Sequence, residues 1–202
     1  MAVLTIPLRA LVALNTVLLR IGRHAAWMAL GLMVIIILLQ IGARFTTGAL
    51  NWTEEAARFL MLWLTGLIAP SAYRWGGFVA IDTIPRALPK TVAHVLLVLL
   101  LALSLAVLIV GAGIGWGEVT GFPGTFDTAA LYTFFFPSIG DLTVTFGWDR
   151  MPRSHMMASL LVGVCLMILV NVELLVKALL GLIAPALELP QDPDQTAMAG
   201  TE

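Results

Sequence analysis

Charge is scarce in this chain of 202 residues: Asp, Glu, Lys and Arg make up 11% of it, against about 25% in a soluble domain. That shortage excludes a soluble enzyme, and a 60% hydrophobic content excludes a disordered chain. Eleven Lys and Arg against twelve Asp and Glu give a formal net charge of −1, with no basic footprint for nucleic acid. Cysteine is nearly absent. Cys165 alone cannot close an internal disulfide or form a paired-thiol relay, and its apolar surroundings predict a buried, inert thiol. No G-x-y or heptad run is evident, which excludes collagen and a coiled coil. The first residues do not read as a cleaved signal, because Arg9, Arg20 and Arg23 interrupt them and no small-x-small site follows a compact apolar core. Catalytic motifs are missing as well. His24, His94 and His155 share no i, i+3 or i, i+4 spacing, and HExxH, P-loop and Rossmann patterns are absent. Ser138-Ile139-Gly140-Asp141 lacks the first glycine and the second membrane Asp of an intramembrane aspartyl protease. Neither enzymatic activity nor a cofactor or metal site is expected.

What the chain has in abundance is long apolar runs, with a mean hydropathy of +0.99. Four of them, at about 25–43, 56–73, 92–115 and 156–184, approach or exceed the roughly 20 residues a helix needs to cross a bilayer. They are continuous rather than alternating, so helices are predicted and barrel strands are not. The expected fold is an all-α membrane protein of four transmembrane helices, a single integral domain over 1–184, followed by a disordered cytoplasmic tail at 185–202.

The segments between the runs refine this. Residues 3–23 carry Arg9, Asn15, Arg20 and Arg23 on a sparse polar side, the three arginines within roughly 60° at 100° per residue, which predicts an amphipathic interfacial helix. Residues 76–90 suit a short interfacial helix or turn. Residues 116–155 form a long connection rich in Gly, Pro and aromatics. Arg9, Arg20 and Arg23 precede the first span, and Arg74, Arg86 and Lys90 lie between the second and third. By the positive-inside rule both termini are cytoplasmic and the long connection is periplasmic.

Few polar residues fall at membrane depth. The third span has only Ser104 and, near its end, His94. The fourth has Asn171, Glu173 and Lys177. Glu173 and Lys177 are i, i+4, which predicts an interfacial salt bridge at the cytoplasmic end, or a contact to another subunit. The densest constellation opens the second span. Asn51 and Glu54 have the spacing of an N-cap and its N3 partner. Glu54 and Glu55 fall in the first turn, Arg58 is within reach of both, and Trp52 and Trp63 lie three turns apart. This is either a well-capped helix with an aromatic belt or an anchoring patch.

These residues carry a resemblance. Trp52-Thr53-Glu54-Glu55-x-x-Arg58, then Trp63, Ala72-Tyr73-Arg74, Val79-x-x-Asp82 and a turn to Pro89 resemble the small membrane subunit (Q type, DctQ-like) of the tripartite ATP-independent periplasmic (TRAP) transporters. The likeness covers about residues 15–115 and the placement of the fourth span. It departs in two places. Gly77-Phe78-Val79-Ala80-Ile81-Asp82 stands where His-Ile-x-Val-Asp is usual, so the histidine is absent. The connection before span four, with Phe134, Phe135, Phe136 and Trp148, is longer than the family's and too apolar for a free loop. It is expected to be a periplasmic helical hairpin or a segment dipping into the interface.

The resemblance implies a non-catalytic scaffold in the inner membrane, supporting a large elevator-type subunit that carries the coupling sodium ions. Uptake of an organic acid or related solute is then driven by an ion gradient, the solute being delivered by a periplasmic substrate-binding protein. Partner-interface candidates are Trp52, Glu54, Glu55, Arg58, Trp63, Arg74 and Asp82. Phe134, Phe135, Phe136 and Trp148 are candidates for periplasmic docking. A membrane anchor of a redox or haem complex and a small stand-alone exporter are the alternatives.

Overall fold

The computed structural model describes residues 2–46, 48, 50–76, 89–121, 126–138 and 143–183. Four helices, α1 (Ala2–Thr46), α2 (Asn51–Arg74), α3 (Lys90–Thr120) and α4 (Ser154–Ile183), account for most of it. Between α3 and α4 lie two strands, β1 (Asp127–Ser138) and β2 (Thr143–Pro152). Three helices contain segments long and apolar enough to cross a membrane: Leu8–Phe45, Val92–Thr120 and Ser154–Leu182.

The separate interfacial helix expected at 3–23 is not separate. It is the first half of α1, whose 45 residues make a rod of about 68 Å. No helix breaker stands between the two halves, so the backbone hydrogen-bond ladder runs through. Asn15 is turned about 110° away from the arginines and is buried. Leu8, Val12, Asn15, Leu19, Gly22 and Ala26 are buried at alternating steps of four and three. Ala29, Met33, Ile36, Gln40 and Ala43 continue the rhythm half-buried. This is a seven-residue repeat, contrary to the expectation of none. Its positions mix large apolar residues with small and polar ones, and most of its flanks are apolar too, so hydrophobicity alone hides it. Gly48, at φ +99°, closes the helix by returning its N–H to the Ala43 carbonyl.

Helix α2 does not begin with the predicted cap. Leu50 takes the extended N-cap conformation, Asn51 is already helical, and the Thr53 hydroxyl donates to the Leu50 carbonyl instead. Its uncharged stretch, 59–73, covers only about 22 Å, short of a hydrocarbon core of about 30 Å. The neighbours explain why this is tolerated. α1 packs on α2, α2 on α4 and α4 on α3, while α1 meets α4 over a smaller area. The helices therefore stand in a row, in the order α1, α2, α4, α3, with α2 flanked on both sides. The outer helices present exposed apolar side chains, among them Trp27, Met28, Val107 and Val110.

The α2–α4 contact is backbone against backbone. Pro70 lies inside α2 and has no N–H, which leaves the Gly66 carbonyl without its helical donor. That oxygen stands 2.7 Å from where a Cβ on Gly163 would be, so only glycine fits there. A Cβ on Gly66 would collide with the Ser159 carbonyl in turn. Lipid tails are as apolar as leucine, so helices in a bilayer gain specificity from such close approaches. Further along α4, Leu161 lies against Gly115 and Val164 against Gly111, which sets α3 and α4 antiparallel.

The connection at 116–155 departs most from expectation. α3 runs on to Thr120, and the described residues at 127–138 and 143–152 pair as antiparallel strands of a β-hairpin, not a helical one. Hence the described chain is not all-α. Tyr-Thr-Phe-Phe-Phe and Thr-Val-Thr-Phe are β-branched and aromatic runs that suit a pleated ribbon better than a helix. Phe135 pairs with Phe146 and Ser138 with Thr143, with irregular register between Asp127 and Tyr132 and between Thr133 and Phe135. Twelve residues of β1 give a ribbon of about 40 Å. Near its base Tyr132 faces Arg150, and the phenol's hydrogen bond raises the pKa of that guanidinium.

Candidate functional site

Two polar clusters bind the row together. In the first, Arg74 at the end of α2 is buried. One of its guanidinium nitrogens donates to Thr16 Oγ1 at 2.9 Å. The other reaches Glu173 Oε1 on α4 at 2.9 Å and the Val12 carbonyl at 3.4 Å. Glu173 is fully buried. Lys177 Nζ donates to the same Oε1 at 2.6 Å, and Asn15 Nδ2 to Oε2 at 2.8 Å. Asn15 Nδ2 also reaches the Leu169 carbonyl at 3.1 Å. Burying a carboxylate is costly unless it is paired and hydrogen-bonded, and here both oxygens are engaged from three helices. Lys177 keeps part of its side chain exposed and can extend its head toward water.

The second cluster is uncharged. Asn171 Nδ2 donates to Tyr73 Oη at 2.8 Å and to Ser104 Oγ, and the two hydroxyls lie 3.2 Å apart. Ser104 is the only hydroxyl in the middle of α3, and it links that helix to α2 and α4. Asn171 Oδ1 and Ser71 Oγ are buried nearby without partners. Across the two clusters all four helices are joined.

A third contact lies at the opposite end. Glu55 accepts the backbone N–H of Ala129 at 2.9 Å and of Ala130 at 2.6 Å, so the first turn of α2 clamps the base of the hairpin. Arg153 N–H donates to the Phe126 carbonyl, and Val119, Thr128 and Met151 are buried around this joint. Glu54, one residue earlier, points elsewhere. It pairs with Arg58 on an exposed surface.

The sequence candidates therefore separate. Glu55 is half-buried against the base of the hairpin, and Arg74 is buried among α1, α2 and α4. Glu54, Arg58 and Trp52 are exposed. Trp63 is half-buried and tilted against Phe59, with ring centroids 6.2 Å apart. Asp82 lies outside the described residues. For Phe134, Phe135, Phe136 and Trp148 the strand backbone is described and the side chains are not. Glu173 and Lys177 do pair, and Arg74 joins them from α2. Cys165 is exposed on α4 rather than buried, because a lipid-facing position is apolar without being enclosed. Asn15 was grouped with the arginines and Thr16 was not singled out. Asn15 in fact sits about 110° from the arginines at 100° per residue, whereas Thr16 falls among them and carries no separate signal. Among the described residues no three His, Cys, Asp or Glu side chains come together to hold a metal ion.

These features define a polytopic helical membrane protein whose ionisable groups at depth are engaged with one another. The family model of the DctQ component of tripartite ATP-independent periplasmic transporters matches residues 33–181. The chain belongs to that family: it is a small component of a TRAP transporter. No curated protein and no solved structure matches it.

Proposed function

We propose that this chain is the fixed scaffold of its transporter. All four helices cross the inner membrane, both termini are cytoplasmic, and the hairpin stands in the periplasm. The chain supports a large elevator-type subunit, which binds the coupling sodium ions and carries the solute. That solute is an organic acid or a related compound, handed over by a periplasmic substrate-binding protein. One observation carries the reading: Glu173 is held within the chain by Arg74, Lys177 and Asn15. A conduit needs polar groups free to exchange partners with a passing ion or solute. A scaffold needs them locked. The exposed apolar flanks of α1 and α3 suit a subunit that meets lipid and another membrane protein.

The test is reconstitution in liposomes. The chain with its large subunit and binding protein should take up solute along a sodium gradient, and the chain alone should take up none. Uptake by the chain alone would overturn the proposal. So would failure of the large subunit to co-purify with it.

A further inference from the structure

A groove of about 450 Å³ lies between α1 and α2, at the end of the row where α2 finishes. Its walls are Ala26, Trp27 and Leu30 from α1 and Leu64 and Ile68 from α2. Its mouth is formed by Trp75, just past the end of α2, and by Arg23, whose guanidinium sits 5.0 Å above the Trp75 ring. The aromatic face fixes that cation in place. Arg20 is exposed one turn earlier on the same helix. The volume is within the roughly 300–1,000 Å³ of small-molecule sites.

The chemistry of the occupant follows from this asymmetry. One end is cationic and lies where a helix leaves the membrane, the depth at which tryptophan is favoured. Everything deeper is apolar. A free anion would leave the apolar part empty. A peptide would bring backbone polar groups into a space that offers them no partner. A helix about 10 Å across would need roughly 800 Å³ for a length of only 10 Å, more than the groove holds. We propose that the groove holds one acyl chain of an anionic phospholipid, with its phosphate against Arg23. The inference is independent of what the transporter carries.

Native mass spectrometry of the full chain, released from detergent after addition of equal amounts of phosphatidylglycerol and phosphatidylcholine, tests it. The wild-type chain should retain one phosphatidylglycerol, in about fivefold preference over phosphatidylcholine, the effect of one interfacial cation. Arg23→Gln should bring the ratio close to one. Leu64→Phe, which narrows the groove and leaves Arg23 in place, should reduce retention of both lipids. Millimolar inorganic phosphate should leave the phosphatidylglycerol in place. Equal retention of the two lipids by the wild type would overturn the proposal. So would a preference that survives both substitutions, or displacement by phosphate alone.

Discussion

Removing the guanidinium of Arg74 leaves Glu173 with Lys177 and Asn15, whereas removing the Glu173 carboxylate leaves two cations facing each other. The second loss should be the greater. Breaking a buried pair by deleting one partner costs about 3–5 kcal/mol. Glu173→Gln is expected at the upper end of that range and Arg74→Met at the lower, read by unfolding in mixed detergent and SDS. Asn171→Ala should behave differently. Its bonds are between neutral groups, and such interhelical bonds in membranes average about 0.6 kcal/mol. A cost for Asn171→Ala equal to that of Glu173→Gln would contradict the assignment of charge to one cluster and neutrality to the other. The sequence made Glu173 and Lys177 legible as a pair because their spacing is local. Arg74 lies 99 positions from Glu173, and no local pattern connects them. Asn15 could have been read: a lone amide among leucines, off the arginine face, is expensive in a membrane unless another helix receives it.

Among the elements, α2 bears two neighbouring glutamates that should respond unequally. Glu55 holds two backbone N–H groups of the hairpin, and hydrogen bonds to a charged group are worth about 1.5–3 kcal/mol. Glu54 makes an exposed pair with Arg58, worth about 0.3–0.5 kcal/mol. Glu55→Ala should speed amide exchange at Ala129 and Ala130, and Glu54→Ala should leave it unchanged. Equal effects would mean that the clamp does not form in solution. The α2–α4 crossing makes a second demand. Gly66→Ala and Gly163→Ala should each weaken it, because backbone must move to admit a methyl group. A disulfide-trapping pair placed across that crossing should then close less efficiently. The four apolar helices were legible from length and hydrophobicity, but not the continuity of the first with the segment before it. The hairpin was not, since its aromatics read equally well as an interfacial belt, and only the alternation of threonine with larger residues in Thr143-Val144-Thr145-Phe146 marked a strand. The seam of α1 was hidden for a related reason: a heptad search looks for apolar positions among polar ones, and in a membrane helix the flanks are apolar as well.

For the whole molecule, the spatial order of the helices differs from their order in the chain. Reporter fusions at Lys90 and Gly124 should report opposite sides of the membrane if all four helices span it. The same side for both would remove one crossing. A more general consequence concerns synthesis. Helix α4 is translated last, yet it stands between α2 and α3, which have few contacts with each other apart from Tyr73 and Ser104. Until α4 leaves the ribosome, α2 has no glutamate for Arg74, and α3 has no neighbour in the row. The nascent chain therefore waits in the bilayer with Arg74 lacking its later carboxylate partner, a mark that membrane quality control can read. Chains stopped after residue 153 should be degraded rapidly. Supplying 154–202 as a separate polypeptide in the same cell should rescue them, because the keystone need not be covalently attached to close the arch.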